Sequence, residues 1–193
     1  MMTPHERLYD MLAARSARRG NFTLASGRQS TLYIDCRLTT MSPDGLATIG
    51  ALALGALDEA GWAPDSVGGL TLGADPVSYA IAYASALAAA TSHHAMIRAF
   101  TVRKEAKAHG TGKLIEGPFQ ATDRVVVIED VITTGGSALK AVEAVRSAGA
   151  TVLGVLAVVD REEGGREALH AAGLSVVTLA RASDILARMP AGA

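Results

Sequence analysis

Apolar residues recur along this chain first at helical spacing and then in short aliphatic runs. Leu8, Met11 and Leu12 predict a short amphipathic helix within residues 5–18. Two extended pieces follow, Phe22–Leu24 and Thr31–Asp35, around a Ser-Gly turn. Ser42 and Pro43 make an N-cap and a first-turn proline. The helix they open carries Leu46, Ile49, Ala53, Leu54 and Leu57 on one face and closes at Gly61. From there strands and helices alternate. Residues 66–72, 95–102, 125–129, 151–159 and 174–180 read as strands, with helices over 75–90, after Ser137 and around Glu167–Ala171. That order predicts an α/β fold, a mainly parallel sheet flanked by helices.

Composition narrows the class. With 49% hydrophobic and 19% charged residues the chain is expected to be globular. No repeat or linker divides it, so residues 1–193 are read as one domain, with about residues 1–40 as a small hood over the sheet edge. A net charge of −1 gives no electrostatic case for nucleic acid or an anionic membrane as partner. The single cysteine, Cys36, allows no internal disulfide and suits a reducing compartment. The apolar runs at 46–57 and 77–90 are too short and too rich in small residues to span a bilayer. The first residues scatter charge where a signal peptide would be apolar. A soluble cytoplasmic protein is expected.

The chemistry concentrates in RVVVIEDVITTGGSALKAVEAV, residues 124–145. Val125 to Ile128 show no polar alternation, as in a strand buried on both faces. Glu129 and Asp130 follow at its carboxyl end, where open α/β sheets place their ligands. Gly135 and Gly136 permit positive φ and close approach of the backbone. Ser137 is a natural N-cap for the helix bearing Leu139, Val142 and Val145. Thr133 to Ser137 would offer N–H groups and hydroxyls to a phosphate at a helix N-terminus. The two acids repel a phosphate but accept hydrogen bonds from sugar hydroxyls. No Lys-Ser or Lys-Thr follows the glycines, which excludes a Walker loop, and the acids precede the glycines, unlike a Rossmann fingerprint.

Two further stretches carry charge. Residues 102–117 hold Arg103, Lys104, Lys107, His109 and Lys113 against two glutamates, punctuated by glycines. Alone, this reads as a solvated basic loop; its length and glycines also suit a mobile flap over a highly charged anion. Arg161 ends the fourth strand, where an arginine makes either a surface salt bridge or a planar fork for a carboxylate. His93 and His94 end a helix, where they complement its dipole, and Cys36 reads as a packed thiol.

VVVIEDVITTGGSA resembles the phosphoribosyl pyrophosphate motif of type I phosphoribosyltransferases. The resemblance implies that family's fold. It also implies a phosphoribosyl pyrophosphate site made of Glu129, Asp130, Val131, Ile132, Thr133, Thr134, Gly135, Gly136 and Ser137, with ribose on the acids and the 5′-phosphate in the loop. RKEAK, one residue on followed by HG, resembles the catalytic loop of the orotate phosphoribosyltransferases. By that resemblance Arg103, Lys104, Lys107 and His109 contact pyrophosphate, with Lys107, Arg103 and His109 the catalytic set. DREE, residues 160–163, is similar to the family's DRxE, which implies that Arg161 holds orotate with Thr133 as a second contact. FTLASGRQSTLYID resembles the family's N-terminal segment and implies Tyr33 and Ile34 over the base.

The resemblance spans roughly residues 20–180. It implies formation of orotidine monophosphate and pyrophosphate, Mg²⁺ carried with phosphoribosyl pyrophosphate and no metal ligand from the chain itself. It also implies a homodimer with shared active sites. Three departures bear on the pyrophosphate contacts: Ala25 stands where many members have lysine, Tyr33-Ile34 replaces a commoner aromatic pair, and TLGADPVSYAIA lacks a lysine. A purine phosphoribosyltransferase would have no carboxylate for Arg161. A non-catalytic sensor of phosphoribosyl pyrophosphate would have no use for an intact cationic flap.

Overall fold

The computed structural model describes residues 2–23, 29–92, 94–105 and 113–190. Helix α1 (Pro4–Met11) opens with a capping box, in which Thr3 Oγ1 accepts from Glu6 N and Glu6 reaches back to Thr3 N. It runs on as a π-helical turn, Leu12–Ser16, and stops there, two residues short of the end the periodicity predicts. Pairing overrides propensity at that point. Strand β1 (Ala17–Thr23) lies antiparallel to β2 (Gln29–Ile34), with Ala17 opposite Ile34 and Arg19 opposite Leu32. This two-stranded sheet lies within the segment expected as the hood. A short helix α2 (Arg37–Thr40), unforeseen from the sequence, leads into α3 (Pro43–Glu59). Ser42 caps α3 as expected, its Oγ accepting from Gly45 N at 3.2 Å.

The main sheet contains β3 (Ser66–Leu70), β4 (Arg98–Val102), β5 (Ile115–Glu116), β6 (Arg124–Ile132), β7 (Thr151–Asp160) and β8 (Val176–Arg181), in the order β5-β4-β3-β6-β7-β8. Every pairing is parallel except that of the two-residue β5 with β4. Helices α4 (Ala74–Thr91), α5 (Gly136–Ser147), α6 (Gly165–Ala171) and α7 (Ala182–Arg188) complete the layers. Strand β6 shows why both faces need cover. Val126 and Ile128 pack toward α1, α3, α4 and α7, and Val125 and Val127 toward α5 and α6, all without solvent exposure. Each such side chain contributes about 1.5–3 kcal/mol of burial. The aliphatic run is the sheet's centre.

Strand order also places the cleft. From β3 the chain crosses to β4 on one side, then returns to β6 on the other. The carboxyl ends of β3 and β6 therefore flank a topological switch point, where ligands bind in open α/β sheets.

Candidate active site

Strand β6 continues three residues past the expected end, so Glu129 and Asp130 are held in the ladder, Glu129 opposite Ala157 on β7. Glu129 is only 7% exposed. Burial first, and the neighbouring Asp130 second, push its carboxyl up to about 9, so an empty pocket keeps it protonated near neutrality. Asp130 Oδ1 accepts from Val131 N at 2.9 Å. The loop after β3 presses against this acid: a Cβ on Gly73 would collide with the Asp130 carboxylate, which would have to shift to admit it. Buried Asp75 anchors the same loop, accepting from Thr71 Oγ1 at 2.7 Å and from Thr101 Oγ1 of β4 at 2.9 Å.

The phosphate loop differs from expectation in one detail. Ser137 is not the N-cap. Gly135, at φ +80°, turns the chain and caps α5 through its backbone, so the helix begins at Gly136 and Ser137 lies inside its first turn. No side chain caps this terminus and no acid stands in its first turn, so its N–H groups keep an unopposed positive end. Ser137, released from capping, lines the cavity.

That cavity, about 370 Å³, also takes in Glu129, Asp130, Thr133, Lys104 and Arg161. Tyr33 and Ile34 of β2 form its hood wall, with the Tyr33 ring 5.4 Å from that of Phe22. Arg161 is 7% exposed, and its Nη2 donates to Ser30 Oγ at 3.1 Å, Leu32 O at 2.9 Å and Glu163 Oε1 at 2.6 Å. Its buried Nε has no partner among the described residues, a cost of about 1–3 kcal/mol that a ligand could relieve.

The other predicted residues divide. Val131 lines the cavity, whereas the Ile132 side chain is buried in the core under α5 and reaches the site only through its carbonyl, which accepts from Arg161 N at 2.9 Å. Thr134 and Gly136 are exposed in the loop, and Gly135 is buried there. Arg103 pairs with Glu116 at 2.9 Å outside the cavity wall, and its N–H donates to Leu114 O at 2.8 Å. Lys107, His109 and Ala25 lie outside the described residues. Sequence reasoning missed the contributions of Asp35, Cys36, Arg37 and Leu72 to the wall. An Asp-x-Arg pair directly after β2, bonded at 2.8 Å, was the available signal.

Residues 41–173 match the family model described as the phosphoribosyl transferase domain. Among its relatives, the orotate phosphoribosyltransferase of Aquifex aeolicus is 43% identical over 96% of this chain and 100% of its own length. That of Rhodopseudomonas palustris strain BisB5 is 47% identical over 94% of this chain and 96% of its own. The fold is similar to that of Mycobacterium tuberculosis orotate phosphoribosyltransferase solved with 5-phospho-α-D-ribosyl 1-diphosphate (TM-score 0.76, 38% identity, 95% of this chain and 99% of that one). The chain belongs to the phosphoribosyltransferase family, and within it to the orotate phosphoribosyltransferases. Among the described residues no helix is long and apolar enough to cross a membrane.

Proposed function

We propose that the chain transfers ribose 5-phosphate from phosphoribosyl pyrophosphate to orotate, giving orotidine monophosphate and pyrophosphate in pyrimidine synthesis. One observation carries the reading: a buried guanidinium, a ribose-type acid pair and an uncapped helix terminus converge on one cavity. Those are receptors for a carboxylate, a sugar and a phosphate. Arg161 and Thr133 hold the orotate carboxylate, with Tyr33 and Ile34 over the ring. Glu129 and Asp130 take the ribose hydroxyls, and Thr133 to Ser137, through N–H and hydroxyl groups, the 5′-phosphate.

The ring nitrogen displaces pyrophosphate at the anomeric carbon through an oxocarbenium-like transition state. No protein nucleophile is required. Negative charge develops on the leaving group, where Lys104, Lys107, Arg103 and His109 stabilise it. Arg103 must leave Glu116 to do so. Mg²⁺ would arrive on the pyrophosphate, keeping much of its water. When bound, it would supply charge neutralisation at the leaving group. The working unit is the whole of residues 1–193, a cytoplasmic homodimer that shares its active sites.

Orotate absorbance should fall when phosphoribosyl pyrophosphate and Mg²⁺ are added to the protein. No fall, with phosphoribosyl pyrophosphate still bound, would overturn the reading in favour of a sensor.

A further inference from the structure

The turn that presents Arg161 is locked residue by residue. Asp160 Oδ1 accepts from Glu162 N at 2.8 Å, closing the turn on itself. Glu162, at φ +57°, takes a conformation a non-glycine residue rarely adopts, and its carboxylate accepts from Ser183 N at 2.8 Å and Ser183 Oγ at 3.2 Å. That contact ties the turn to the start of α7. Glu163, freed from backbone duty, points inward and meets the Arg161 head at 2.6 Å, with side-chain exposures of 15% and 4%.

We infer that Glu163 is the positioning residue for the orotate-binding arginine, and that with Ser30 and the Leu32 carbonyl it fixes which edge of the guanidinium the substrate meets. This rests on the reading of Arg161 given above. The geometry is an argument by counting. Nη2 carries two hydrogens and faces three protein acceptors, so the protein claims it fully. Nη1 and Nε make no hydrogen bond among the described residues, and Arg161 lines the cavity, so these two are the donors left for an incoming carboxylate. Buried charge strengthens the point. An arginine this enclosed needs a counter-charge, and the competing carboxylates in the cavity are Asp130 and Asp35. Without Glu163 the guanidinium would turn toward them, away from the base and onto the groups meant for ribose.

A charge-assisted hydrogen bond of this kind is worth about 10–100-fold in an equilibrium. Glu163→Ala should therefore raise the KM for orotate about 10–100-fold, with the KM for phosphoribosyl pyrophosphate within about twofold of wild type. Glu163→Gln keeps an acceptor of the same reach and should restore most of the loss. Preference for orotate over its uncharged methyl ester, compared as kcat/KM, should fall in the alanine variant. General damage to the fold would lower both substrates alike and leave that preference unchanged. Three results would overturn the inference: an unchanged KM for orotate in the alanine variant, a rise in both KM values together, or a glutamine variant no better than alanine. Should Glu163→Ala not fold, the glutamine variant alone decides: an orotate KM within about threefold of wild type and an unaltered ester preference support positioning by the hydrogen bond, and loss of that preference overturns it. Wild-type protein inactive on orotate would instead refute the reading of the reaction, before any variant is made.

Discussion

The proposed phosphate end of the cavity falls within one contiguous run, residues 129–137, on one strand, one turn and the start of one helix, with Glu129, Asp130, Val131, Thr133 and Ser137 lining it. The base end is assembled from Tyr33 and Ile34 on the hood and Arg161 at the tip of β7, with a hydrogen bond joining residues 131 positions apart. The first is set by local backbone, above all the positive φ of Gly135, inside a sheet with no solvent-exposed aliphatic residue from Val125 to Ile128. The second exists only while the hood is docked. On the proposed assignment, recognition of the sugar phosphate is built into the sheet, and recognition of the base is a property of tertiary contact.

The largest effect should come from outside both ends. If Lys107 stabilises the leaving group as proposed, Lys107→Ala should lower the turnover rate by about 10²–10³. An unaltered rate would place the decisive charge elsewhere, with Lys104 the first alternative.

Sharing of sites gives the next effect. Mixed in equal amounts and allowed to exchange, Lys107→Ala and Asp130→Asn should recover about a quarter of wild-type activity if each flap serves its partner's acid pair. Half the dimers would then be mixed, each with one intact site. A mixture that exchanges subunits but stays inactive means that each flap serves its own chain.

At the base end, Arg161→Lys keeps the charge but loses the planar fork. The KM for orotate should rise about tenfold while that for phosphoribosyl pyrophosphate holds. A parallel rise in both would show that the two ends are not separable, because Arg161 would then be holding the hood and the sheet together.

The smallest effect probes the phosphate end through pH. The folded, ligand-free protein keeps the Glu129 proton up to about 9, whereas the unfolded chain loses it near 4.5. Between those values the unfolded state binds fewer protons, so stability falls as pH rises through the window. Glu129→Gln cannot ionise. Its Tm should decline less than that of wild type from about pH 6 to about pH 8.5, each kcal/mol appearing as roughly 2–4 °C. Equal slopes would mean that the site solvates this acid.

What could be read from the sequence follows the same division. The aliphatic run into Glu129-Asp130 and the glycine pair are contiguous, so pattern alone indicated strand, acids, nest and helix. The end of β6 was read three residues early, since Val131 and Ile132 are apolar and only pairing with Val159 and Asp160 shows that the ladder continues. Ser137 was assigned the cap because a side-chain cap has a residue signature, whereas Gly135 caps by φ alone. In the hood, Ala17-Arg18-Arg19 has helical propensity and is drawn into β1 by partners twelve or more residues away. The two-residue β5 and the four-residue α2 are too short to carry a period. That Ser30 and Glu163 both reach one guanidinium was not legible, because nothing in their neighbours indicates it, even though Glu163 belongs to the DREE stretch.

The bond from Arg103 N to Leu114 O bears on how this enzyme could vary. With β4 and β5 paired antiparallel, the basic segment springs from two feet held at hairpin distance on the sheet edge. Its length is thereby uncoupled from the architecture. Doubling a loop between fixed feet costs only about 0.6 kcal/mol in closure entropy. Insertions between Lys104 and Lys113 should therefore leave thermal stability almost unchanged, even where they shift the reach of the cations. Descendants of this chain are free to lengthen or shorten that segment while the sheet, the acid pair and the nest stay as they are.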